Sequence, residues 1–160
     1  MKTMTHKQML DEYLARVSTL FAQARQWTSE IDPNATFEEQ DVSLTEEPVG
    51  PYSANELIIK CQDLKPIRLI PRGRWIIGAE GRVDMKSNLG TKTLVYTSEG
   101  GPHVKIDTLT ENGRILERGK PRPVAKDITE GWVLVQNRQL GMLPSLDADL
   151  FCRLLEVLGR

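Results

Sequence analysis

Two cysteines and two histidines are all that the 160 residues offer to thiol or soft-metal chemistry. Cys61 and Cys152 lie far apart, each in an apolar stretch, and no C-x-x-C or H-x-x-x-H spacing links them to each other or to His6 and His103. A disulfide scaffold is excluded by count and a zinc site built from one paired motif by spacing. Both thiols read as small buried hydrophobes. Long apolar runs are missing as well. Runs such as Leu57-Ile58-Ile59 and Trp75-Ile76-Ile77 fall far short of the roughly 20 residues that a bilayer demands, so no membrane partner is expected. The start, Met1-Lys2-Thr3-Met4-Thr5-His6-Lys7 leading to Asp11 and Glu12, lacks the uninterrupted apolar core of a secretory signal, and the expectation is a cytoplasmic protein. There is no Gly-rich phosphate loop of either common type, no G-x-S-x-G elbow and no H-E-x-x-H.

What is present describes an ordinary globular chain. Hydrophobic residues make up 39% and charged residues 27%, and the length suits one domain. The net charge of -1 hides an asymmetry. Residues 1–50 carry four Lys/Arg against nine Asp/Glu, residues 51–126 fourteen against eight, and residues 127–160 three against five. Such a division fits a basic surface awaiting an anionic partner, or an acidic element packed over a basic sheet in one molecule, and the near cancellation favours the second.

Thr5 followed by Gln8 has the form of a capping box. Leu10, Tyr13, Leu14, Val17, Leu20, Phe21, Ala24 and Trp27 then recur at three and four, which predicts an amphipathic helix over about 6–28, ended by Ile31-Asp32-Pro33-Asn34. The period then changes. Val42 and Leu44, Leu57–Cys61, Ile67–Ile70, Trp75–Ile77, Arg82–Met85, Thr91–Thr97, His103–Thr108, Ile115-Leu116 and Trp132–Gln136 read as strands. Between them Ser87–Gly90, Glu99–Pro102 and Glu111–Gly113 read as turns, and Arg118–Pro123 as a loop. Short connections make neighbouring strands antiparallel. After Pro144, Ser145 is the expected N-cap of a last helix, with Asp147 and Asp149 in its first turn. Its stripe is Leu146, Leu150, Phe151, Leu154, Leu155 and Leu158, and Gly159 ends it.

The predicted fold class is therefore α+β. A long N-terminal helical element (1–34), an antiparallel meander of six to eight strands (35–143) and a C-terminal helix (144–160) form one domain, with both helices on one sheet face. The only candidate linker is Glu46–Pro51. The opposite face should carry Arg68, Lys92 and residues of the Arg82 parity.

Two fragments could carry chemistry. Asp84-Met85-Lys86 puts a carboxylate and a lysine on one strand face, with Asp63 and Glu80 upstream, as a magnesium-dependent nuclease requires. Over these few residues it resembles the core of the PD-(D/E)xK nuclease family, but the Pro-Asp dipeptide is missing and a meander does not reproduce that family's helix-flanked strand order. The preferred reading is a structural strand face. The second fragment is the basic stretch 60–92, where Lys60, Lys65, Arg68, Arg72, Arg74, Arg82, Lys86 and Lys92 surround Trp75 and meet only Asp63, Glu80 and Asp84. Arg68, Arg72, Arg74, Arg82, Lys86 and Lys92 could grip phosphates while Trp75 stacks on a base. The preferred alternative is a solvated sheet face neutralised within the molecule. No cofactor, metal ligand or catalytic residue is assigned. The expectation is a non-enzymatic protein-interaction module whose partner is another protein or a second copy, with a nucleic-acid binder as the rival and a nuclease third.

Overall fold

The computed structural model describes residues 4–98, 103–104, 107–109, 115–118, 122–123, 130–136 and 143–160, with side chains for 4–98, 130–136 and 143–160. The N-terminal helix α1 runs from His6 to Ile31, about one turn beyond the predicted end. Its start is the expected capping box, with the Thr5 hydroxyl accepting from the Gln8 N–H at 3.1 Å and the Gln8 side chain accepting from the Thr5 N–H at 2.8 Å. The final turn persists to Ile31 because the Asp32 N–H still donates to the Thr28 carbonyl, and Pro33 follows.

Strands β1 (Thr36–Glu46), β2 (Gly50–Lys60), β3 (Ile67–Gly73), β4 (Arg82–Ser87) and β5 (Gly90–Thr97) form an antiparallel meander in chain order. Glu46–Pro51 is thus the turn of the β1–β2 hairpin, not a linker. Beyond β5, the short strands β6 (His103–Val104) and β9 (Arg122–Pro123) pair with each other, as do β7 (Asp107–Leu109) and β8 (Ile115–Arg118) between them. The expected single strand His103–Thr108 is therefore divided, and Arg118 and Arg122-Pro123 belong to strands. The turns expected at Glu99–Pro102 and Glu111–Gly113 lie outside the described residues. Strand β10 (Gly131–Leu134) returns to pair with β5, completing a six-stranded sheet, and α2 (Ala148–Gly159) closes the chain.

Two expectations fail for tertiary reasons. Trp75–Ile77 is not a strand, because the Glu46 carboxylate accepts from the Arg74 N–H at 3.1 Å and the Trp75 N–H at 3.0 Å, and the chain turns back through a lone bridge between Ile76 and Ala79. Ser145 is not the helix cap, because Pro144 to Leu146 lies extended along β10, with the Leu134 N–H donating to the Pro144 carbonyl and the Leu146 N–H to the Trp132 carbonyl, each at 2.9 Å. The helix starts only after this contact, and Asp147 caps it by accepting from the Leu150 N–H at 2.8 Å.

Registers place Leu57, Leu69, Met85, Leu94 and Leu134 on one sheet face, where they share a buried cluster with Leu20 and Phe21 of α1 and Phe151, Leu154 and Leu158 of α2. Leu20, Phe21 and Leu154 are buried as expected, while Leu150 is half-buried at its edge. Tyr13, fully buried, ties α1 to the sheet: its hydroxyl donates to the Arg82 carbonyl at 2.8 Å and accepts from the Gly73 N–H at 3.3 Å.

Candidate functional site

The opposite face carries Arg68, Arg72, Arg82 and Lys86 together, as strand parity with a bulge between Pro71 and Gly73 dictates. Each guanidinium there already has a carboxylate. Arg68 Nη1 meets Glu56 Oε1 at 2.8 Å, and Arg72 Nε and Arg82 Nε meet the two oxygens of Asp84 at 3.0 and 2.9 Å. Glu56 and Asp84 are the buried members of these pairs, 6% and 4% exposed. Lys86 stands exposed opposite Arg68, a like-charge neighbour. The remaining two predicted residues are elsewhere. Arg74 lies in the turn after β3, with its guanidinium 5.9 Å from the Trp75 ring centre. Lys92 pairs in register with Met85, so it sits on the helix side of the sheet, lining a cavity with Leu154 and Val157 of α2. The expectation that it would join Arg68 fails by one residue of register, which inverts a strand's faces. Trp75, the proposed stacking ring, packs against the core and edge-on to His6 at 6.0 Å.

Asp84 and Lys86 do share a face, but the Asp84 carboxylate is filled by Arg72 and Arg82, with Arg82 adding a second bond from Nη2 at 3.2 Å. Among the described residues no group of three His, Cys, Asp or Glu could hold a metal ion.

A cleft of about 470 Å³ between α1 and the β5–β10 edge was invisible in the sequence. At its centre Arg16 lies 4.0 Å from the Tyr96 ring centre, pairs with Glu12 and with Glu80 at 3.1 Å, and has Glu130 at 3.7 Å. Only the i, i+4 spacing of Glu12 and Arg16 signals it in advance; Glu80 and Glu130 arrive through the fold. With its cation surrounded by carboxylates, the cleft offers no free charge for an anion.

The shifted groups are moved away from reactivity. Burial raises the thiols of Cys61 and Cys152, both unpaired, which makes each a poorer nucleophile. Burial also raises Tyr13, Tyr52 and Tyr96, and in Tyr52 the hydrogen bond to Glu46 adds to it, so these phenols stay neutral.

The two edges of the main sheet differ. The β10 edge is covered by the chain's own Pro144–Leu146. The β1 edge, eleven residues long, pairs only with β2 on its inner side, and no other described segment pairs with it. No helix among the described residues is long and apolar enough to cross a membrane. No family model, no curated protein and no solved structure matches the chain.

Proposed function

We propose that the chain is a non-enzymatic module that acts in the cytoplasm by contact with another protein. The observation that carries this reading is the eleven-residue edge of β1, left unpaired among the described residues, since an unpaired strand edge is a template for a further strand. Two neighbouring observations support it. Three of the four cations of the basic face, Arg68, Arg72 and Arg82, are paired with Glu56 and Asp84, which lowers the positive potential available to phosphates. The unpaired, burial-raised thiols suit a reducing compartment and a chain without nucleophilic chemistry.

The test is a titration with single- and double-stranded oligonucleotides over a range of salt. Nucleic-acid binding through residues 60–92 would give a log-log slope near -0.9 per phosphate contact on duplex DNA, flattened by Arg72→Ala and Arg74→Ala. The expected outcome is no salt-dependent binding and, for Arg72→Ala, a small loss of thermal stability that shrinks as salt rises. Micromolar or tighter binding at physiological salt, lost on removing both arginines, would overturn the reading.

A further inference from the structure

From Glu30 to Glu47 the chain carries seven carboxylates, Glu30, Asp32, Glu38, Glu39, Asp41, Glu46 and Glu47, and no lysine or arginine. Strand β1, whose outer edge is unpaired among the described residues, occupies most of this run. Its central residues Glu38, Glu39 and Asp41 are exposed, and the two cations nearby, Lys60 at 3.5 Å from Glu38 and Arg25 at 2.9 Å from Glu39, form surface pairs that cost little to exchange. Side chains alternate along a strand, so Glu39 and Asp41 share one face and Glu38 lies on the other. An incoming strand would thus meet two carboxylates two residues apart on one side.

We propose that the free edge of β1 is the docking site for an extended segment of a partner protein carrying lysine or arginine at alternate positions, added to the sheet as a further strand. This deepens the interaction-module reading and rests on it. Main-chain hydrogen bonds along the edge supply the affinity, and cross-strand pairing with Glu39 and Asp41 supplies the preference for a basic sequence. A second copy of the chain is a poor occupant of the same edge. Antiparallel self-pairing centred on Asp41 sets Asp41 opposite its own counterpart, pairing centred on Gln40 sets Glu39 opposite Asp41, and pairing centred on Glu39 sets Glu39 opposite its own counterpart, all like-charge contacts. Nucleic acid is repelled by the same carboxylates. The far edge shows what full coverage looks like, since β10 has the backbone of Pro144 to Leu146 laid along it.

The experiment is amide hydrogen exchange on the full chain, with a short synthetic peptide of alternating lysine and valine as probe and one of alternating glutamate and valine as its control. The lysine peptide is expected to slow exchange of amides in Thr36–Glu46, with an affinity that falls as salt rises, while the glutamate peptide does not. The isosteric double substitution Glu39→Gln, Asp41→Asn is expected to weaken binding about fivefold, the sum of two modest cross-strand pairs. No change at β1, or equal slowing by both peptides, overturns the proposal, and so does concentration-dependent protection of β1 without peptide, which assigns the edge to a second copy. If the double variant fails to fold, the contrast between the two peptides on the unaltered chain decides alone. The oligonucleotide titration reads Arg72 and Arg74 and is independent of β1, so the interaction-module reading and this docking site fail separately.

Discussion

At the scale of single residues, the molecule concentrates its polar investment where β3 ends. Tyr13 reaches from α1 to satisfy Arg82 and Gly73, and Glu46 gathers the Tyr52 hydroxyl with two backbone N–H groups. Gly81 is required there, because a Cβ at its φ of +152° would lie 2.4 Å from the Tyr13 ring. Tyr13→Phe should cost about 1 to 3 kcal/mol, since it leaves a part-buried carbonyl and a buried N–H without this partner. The same residue gives a pH dependence. Burial raises the Tyr13 and Tyr52 phenols above the ordinary value of 10.0, so the unfolded chain releases those protons first. Their contribution is fully present below pH 10 and is lost as pH rises beyond it. Urea denaturation midpoints measured from neutral to strongly alkaline pH should therefore fall, and fall less steeply in Tyr13→Phe. An identical alkaline decline in the two proteins would refute this role.

At the scale of elements, Leu154→Ala should cost about 2 to 5 kcal/mol, because Leu154 is buried where α2 meets the sheet. A midpoint equal to that of the unaltered protein would show that α2 contributes nothing to the core. Both helices and the strands β3 to β5 were legible in sequence because their signals are local: Thr5 with Gln8, stripes at three and four, Ser87 and Gly90 around a two-residue turn. The failures share one cause. Trp75–Ile77 has the composition of a strand, but its flanking amides are captured by Glu46 from another element. Ser145 has the composition of a cap, but β10 holds it extended. Of the candidate site, the basic residues could be named in advance, whereas their partners could not. Register alone brings Glu56 to Arg68 and moves Lys92 to the other side, and the Arg16 cleft joins residues from four separate parts of the chain.

At the scale of the whole molecule, the sheet is two pieces of unequal history. Strands β1 to β5 are joined by short connections, whereas β10 reaches β5 across a sequence separation of 34 residues. Closing a loop of that length costs up to about 2 kcal/mol more than closing a tight turn, a cost that the pairings of β6 with β9 and β7 with β8 reduce. During refolding the meander should therefore form before β10 is added, and Pro144 to Leu146 can join only after β10 is in place. Val83, in the middle of the meander, and Val133, on β10, are both fully buried, so alanine at either position destabilises the native state. In stopped-flow measurements Val83→Ala should slow refolding, while Val133→Ala should leave refolding nearly unchanged and speed unfolding. A slowed refolding limb in Val133→Ala would place β10 in the nucleus. On the expected order, every nascent molecule passes through a stage in which the β5 edge is as open as that of β1, and Trp132 and Leu134 act as an internal strand that closes it before a neighbouring molecule can.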